Sequence, residues 1–189
     1  MSSLSSVGYF LISNLFSMVL FVLWARFFIR YFAIGTFHPF SQTIYTLTAP
    51  VVAPIQRNIT RDMGGRSRYD FACLMLIIIG ELLKLTAINL LFLNSTLAFN
   101  NILIYAIVDM IVAPCNILFY AVILRAVMSW INPSLQNPLA NLLFMVTEPL
   151  LRTIRKVVPT LGMVDLSPIV AMLLLKSIEI FLSGLFPTL

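Results

Sequence analysis

The pattern of hydrophobic and polar positions divides the chain into long apolar stretches with short polar segments between them. A helix needs about 20 residues to cross a bilayer. Four stretches reach that length, at residues 7–32, 70–93, 101–130 and 168–186. Residues 1–9 carry no basic side chain and no small-residue cleavage site follows, so the first stretch reads as a retained helix rather than a signal peptide.

Between the first and second stretches, and again between the third and fourth, lies a segment too polar to cross and too apolar to be a free loop. Phe40, Ile44, Leu47, Val51 and Ile55 recur at helical spacing in the first segment. Leu139, Leu142, Leu143, Val146, Leu150, Ile154 and Val157 do so in the second. Asn141, Glu148, Arg152, Arg155 and Lys156 take the other face there, and the first segment ends in Arg57 and Arg61. This predicts two basic amphipathic helices, about 39–60 and 138–158, lying in the membrane interface. Arg57, Arg61, Arg152, Arg155 and Lys156 would then meet anionic lipid headgroups. Packing on protein alone is the other reading. Pro50 and Pro149 each remove a donor and crowd the preceding turn, which predicts a bend or break in each helix.

The two polar segments belong to a repeat. At a spacing of 99, Arg26 matches Arg125, Pro39 matches Pro138, Thr48 and Pro50 match Thr147 and Pro149, and Ile55 matches Ile154. About four extra residues then enter the first half near 63–68, and Asp70 matches Asp165 at a spacing of 95. The organisation read from this is a first repeat at 1–93, a link at 94–100 and a second repeat at 101–189. Each half holds two spans, so both enter the membrane in the same sense, related by a pseudo-twofold axis along the membrane normal.

Composition narrows the class. Hydrophobic residues make up 60% and charged residues 10% of the chain, with a mean hydropathy of +1.00. A soluble domain carries about 25% charged residues, so a soluble enzyme, a disordered tail and a disulfide scaffold are all excluded. The net charge of +5 would suggest nucleic acid in a soluble protein. Here ten of the twelve basic residues cluster around the two polar segments, which by the positive-inside rule places those segments in the cytoplasm and both termini outside. No nucleic-acid partner is expected.

Charges within the spans are the candidate chemistry, because each costs about 2.5–3.5 kcal/mol at the helix centre on insertion scales. The second span holds Glu81 and Lys84, and the fourth holds Lys176 and Glu179. The 95-residue offset superposes Glu81 on Lys176 and Lys84 on Glu179, keeping the positions and exchanging the signs. Three arrangements fit: a cross-half lock of Glu81 with Lys176 and Lys84 with Glu179, two pairs within their own helices at i,i+3, or an ion path. Asp109 lies in the third span near its outer end, and Pro114 is expected to kink that span.

Nothing catalytic stands out. There is no GxSxG, HExxH, Walker loop or CxxC, and no cofactor or metal is expected. Cys73 and Cys115 sit in apolar runs and His38 is the only histidine. Asp165, Ser167 and Pro168 read as a helix start, with Ser167 as the cap and Asp165 at the positive dipole end.

The second half carries a recognisable string. It runs Leu124-Arg125-Ala126-Val127-Met128-Ser129-Trp130, Asn137-Pro138, Thr147-Glu148-Pro149, Ile154-Arg155-Lys156, Val158-Pro159, Gly162 and Asp165-Leu166-Ser167-Pro168. This resembles the YggT family of bacterial inner-membrane proteins, related to the YlmG proteins of Gram-positive bacteria and plastids. The resemblance covers essentially the whole chain as two copies of one unit. It marks Arg125, Ser129, Trp130, Pro138, Glu148, Pro149, Pro159, Asp165, Ser167 and Pro168 as signature positions. The first half departs from it, with Arg30-Tyr31 for Ser129-Trp130, Ala49 for Glu148 and Tyr69-Asp70-Phe71-Ala72 for the Asp-Leu-Ser-Pro string.

The family has no established catalytic activity and is linked to division and envelope organisation, osmotic stress and, in plastids, nucleoid partition and cytochrome cofactor assembly. The resemblance therefore implies a non-enzymatic scaffold or assembly factor that meets anionic lipid and a membrane protein or a second copy. A small-ion channel or transporter is the alternative. The expected fold is an all-α membrane protein with four transmembrane helices, two interfacial helices and a tandem pseudo-twofold repeat.

Overall fold

The computed structural model describes residues 3–35, 38–63, 69–93, 99–131, 137–158 and 165–185. Six helices follow in order: α1 (Ser3–Tyr31), α2 (Pro39–Met63), α3 (Phe71–Ile88), α4 (Phe99–Ile131), α5 (Pro138–Ile154) and α6 (Ser167–Leu185). A π-helical turn, Asn89–Leu93, extends α3. Four of the helices are long and apolar enough to cross a membrane: α1, α3 with its π turn, α4 and α6. Large side chains such as Phe10, Leu15, Met18, Ile180 and Phe181 stand exposed along them. Such a surface suits hydrocarbon and not water. The protein is an all-α membrane protein built as a tandem repeat.

Within each half the two span helices pack together, α1 on α3 and α4 on α6. Gly80 lets α1 and α3 approach closely, for a Cβ there would lie 2.9 Å from Leu20 Cδ2. Leu20, Leu23, Trp24, Phe28, Val52, Cys73 and Ile77 form the main buried cluster at that crossing. The halves meet through α3 on α4 and through α2 on α5. A twofold relation would pair the α3–α4 seam with an equivalent seam of α6 on α1. Among the described residues α6 does not pack on α1 in that way.

Local chemistry sets the helix ends. Asn137 caps α5, its side chain accepting from Ala140 N at 2.6 Å, with Pro138 in the first turn. The end of α1 turns through Ala33 at φ 52°, and Ile34 N donates to Ile29 O at 2.9 Å. This left-handed cap drives Ile34 into a small core with Ile29 and Val146.

The predicted breaks at Pro50 and Pro149 do not occur: α2 and α5 run through them. Both prolines lie on the exposed face, as do Thr46 and Met145, whose carbonyls lose the donor. Freed carbonyls there can bond outside the helix, which makes continuation tolerable. The two stripes are used differently. In α5, Leu143, Val146 and Ile154 are buried against protein. In α2, Phe40, Leu47 and Val51 stay exposed, and Ser41, Thr48 and Val52 form the buried side.

Candidate functional site

Each half builds a cluster around one arginine near the end of its first span. In the first half Arg26 Nη1 donates to Thr48 Oγ1 at 2.7 Å, and Arg26 Nε donates to Asp70 Oδ2 at 3.1 Å. Arg26 Nη2 reaches Gln56 Oε1 at 3.4 Å, and the Tyr45 ring lies 4.8 Å below the guanidinium. Thr48 passes the bond on, donating to Ile44 O at 2.7 Å. Arg30 Nη1 lies 3.5 Å from the same Asp70 oxygen. The other oxygen, Oδ1, accepts from Cys73 N at 3.2 Å and caps α3. Arg26, Thr48 and Asp70 are all buried.

The second half repeats the plan with two residues inserted into the circuit. Arg125 Nη1 donates to Thr147 Oγ1 at 2.8 Å, Thr147 donates to Leu143 O at 2.7 Å, and the Phe144 ring lies 4.5 Å from the guanidinium. Arg125 does not meet Asp165 directly. Its Nη2 donates to Glu148 Oε2 at 2.7 Å, Glu148 Oε1 accepts from Arg155 Nη1 at 2.7 Å, and Arg155 Nε donates to Asp165 Oδ2 at 2.8 Å. Asp165 Oδ1 then accepts from Ser167 N at 2.9 Å at the start of α6. The result is an alternating chain of four charges joining α4, α5 and α6.

That alternation decides the ionisation of its members. Burial raises the Glu148 carboxyl, but hydrogen bonds and charge from Arg125 and Arg155 outweigh it and hold it below the ordinary value. Burial likewise raises Asp165, and bonds from Ser167 and Arg155 bring it below its ordinary value. Burial lowers Arg155, and its two carboxylate partners carry it above the usual arginine value.

The structure brings Arg125, Glu148, Asp165 and Ser167 of the signature together. Ser129, Trp130, Pro138 and Pro149 are exposed and lie outside the cluster, and Pro168 sits in the first turn of α6. Pro159 and the side chain of Arg61 fall outside the described residues. Arg57, Arg152 and Lys156 are exposed. Arg155, half-exposed, differs from them in that its guanidinium bridges Glu148 and Asp165. Ser167, expected to cap α6 through its hydroxyl, gives its backbone N–H to Asp165. Gln56, Tyr45 and Phe144 were missed. The 99-residue offset contains the signal, since it superposes Gln56 on Arg155 and Tyr45 on Phe144.

The charges within the spans pair along their own helices and, at Asp109, across the α3–α4 seam. Lys84 Nζ lies 2.6 Å from Glu81 Oε2 on its own helix and 2.8 Å from Asp109 Oδ2 on α4. Lys176 Nζ lies 2.7 Å from Glu179 Oε2, with the Phe119 ring 5.5 Å away. The cross-half pairs of Glu81 with Lys176 and Lys84 with Glu179 are not among the ion pairs of the described residues. Their helices explain it: α3 packs on α1 and α4, and α6 packs on α4 and α5.

Comparison with known proteins gives the same two-part reading. The CCB3/YggT family model matches residues 5–91 and again 102–186. An uncharacterised protein of Pseudomonas aeruginosa is 32% identical over 180 residues, 95% of this chain and 89% of its own length. An uncharacterised protein of Vibrio alginolyticus, described by its position in the proC 3' region, is 30% identical over 85% of each chain. The uncharacterised protein YggT of Escherichia coli K12 is 29% identical over 90% of this chain and 86% of its own. No solved structure matches. With both halves matched by the family model, the chain belongs to the CCB3/YggT family.

Proposed function

We propose that this protein is a non-enzymatic scaffold of the inner membrane, with α2 and α5 forming a cytoplasmic platform and both termini outside. One observation carries the reading: the arginine clusters tie α2 and α5 to the ends of the spans while Arg57, Arg152 and Lys156 stay exposed. Val157, next to Lys156 in the chain, is exposed, as are Trp130 and Ile131 where α4 ends. Basic side chains next to exposed apolar ones suit the boundary between anionic headgroups and acyl chains. The basic asymmetry supports the cytoplasmic side. A platform held from within offers a fixed surface to a membrane protein or a second copy.

The test uses the full chain in detergent, titrated with short-chain phosphatidylglycerol or phosphatidylcholine. Each basic residue near an anionic surface is worth about 1 kcal/mol. The variant carrying Arg152→Gln and Lys156→Gln should therefore bind phosphatidylglycerol at least about tenfold more weakly, with phosphatidylcholine binding unchanged. Equal loss for both lipids, or none, rejects the platform.

A further inference from the structure

The missing seam between α1 and α6 has something in its place. A cavity of about 240 Å³ is lined there by Ser13 of α1, Lys84 of α3, Asp109 of α4, and Glu179 and Ser183 of α6. It lies toward the end of the bundle away from α2 and α5. A second cavity, of about 270 Å³, shares Lys84 and Asp109 with the first and continues to Glu81, Asn116 and Trp24. Trp24 itself belongs to the buried cluster of Leu20, Leu23, Phe28, Val52 and Ile77.

Two independent observations say what belongs in it. The first is hydrogen bonding: Trp24 is buried, it lines the inner cavity, and its Nε1 has no partner among the described residues. A buried donor within a membrane needs one, and each cavity has room for several waters. The second is charge. Glu179 has Lys176 to itself, whereas Glu81 and Asp109 have Lys84 between them, so three carboxylates stand against two ammonium groups. Lys84 serves both Glu81 and Asp109, so one negative charge is left over at the wall. An uncompensated charge in low dielectric is the costly kind.

We propose that the two cavities hold water and bind one small monovalent cation beside Asp109, supplied from the side of the membrane opposite α2 and α5. Ser13 and Ser183 line the same cavity as Asp109. This goes beyond the scaffold reading and stands without it. A proton could deliver the same positive charge, and the measurements separate the two.

Full-length protein with Cys73→Ala and Cys115→Ala, in nanodiscs of neutral phosphatidylcholine, receives Ser13→Cys, Ser183→Cys or Gly184→Cys. Rates of modification by a cationic and an anionic methanethiosulfonate are compared, with exposed Gly184 as the reference for the bundle end. A cleft of one sign raises the local counter-ion concentration by about tenfold or more. Positions 13 and 183 should therefore prefer the cationic reagent at least about tenfold over the ratio at position 184, and Asp109→Asn should remove the preference. Unreactive thiols, or equal rates for both reagents, overturn the proposal. The unmodified chain gives a second measurement that needs no cysteine variant. At fixed pH and ionic strength, exchanging N-methylglucamine for sodium or potassium should raise its thermal midpoint, and Asp109→Asn should abolish the rise. A midpoint that answers to pH and not to the alkali cation identifies a proton as the compensating charge and also overturns the proposal.

Discussion

The arginine clusters of the two halves perform the same joining task with different parts. In the first, Arg26 reaches Asp70 directly, and both side chains are buried. In the second, Glu148 and Arg155 stand between Arg125 and Asp165, and the members are a fifth to a third exposed. Ala49 and Gln56 occupy the positions of Glu148 and Arg155 in the first half. The difference teaches that the constant element is the tie between an arginine on one span and the aspartate that starts the next. The link can be shortened when it is buried, or extended by a neutral carboxylate–guanidinium insert when it is nearer the surface.

Breaking the buried version should have the largest effect. Asp70→Asn leaves Arg26 without its carboxylate in a buried site, and removing one partner of such a pair costs about 3–5 kcal/mol. Asp165→Asn removes an equivalent but more exposed contact and should cost no more than about 1 kcal/mol. Thermal unfolding of the two variants side by side checks the ratio. Equal losses would mean that burial does not distinguish the clusters.

A double-mutant cycle sharpens the comparison next. Glu148→Ala leaves Arg125 and Arg155 facing each other and should cost about 1.5–3 kcal/mol. Adding Arg155→Gln reproduces the Ala49 and Gln56 pair of the first half and removes the stranded cation. The double variant should be more stable than the sum of the two singles, with a coupling of at least about 0.5 kcal/mol. Simple additivity would show that the insert is not a unit.

The smallest effect is a pH dependence that arises in the cluster of the second half. Glu148 and Asp165 have folded values below their ordinary 4.5 and 3.8. A depressed carboxyl contributes stability that is fully present above its unfolded value and is lost as pH falls through the folded one. The parent should therefore lose stability below about pH 4.5, and Glu148→Gln should flatten that loss. Parallel curves for parent and variant would remove Glu148 from the acid response.

Much of this was legible beforehand. The apolar runs marked the four spans, and the 99-residue offset superposed Arg26 on Arg125 and Thr48 on Thr147, the centres of both clusters. The partnership of Lys84 with Asp109 was not legible, because they lie on different helices and nothing in the periodicity relates their rotation. The cross-half lock failed for a related reason. Matching positions in a repeat share depth, but contact also requires neighbouring helices, and α3 and α6 each lean on α4 instead. The carboxylate partners of Arg155 were not legible either, because a basic residue on a polar face looks the same in sequence whether it meets lipid or a carboxylate.

The spacing of the Lys84 partners has a consequence for biogenesis. Glu81 precedes Lys84 by less than one helical turn and is present as soon as the lysine is made, whereas Asp109 follows 25 residues later. At a synthesis rate of about 5–20 residues per second, the ammonium waits roughly one to five seconds for its second carboxylate. Until α4 emerges, α3 carries an electrically neutral Glu81–Lys84 couple and not a lone cation. The second carboxylate, and with it the surplus negative charge, arrives only with α4.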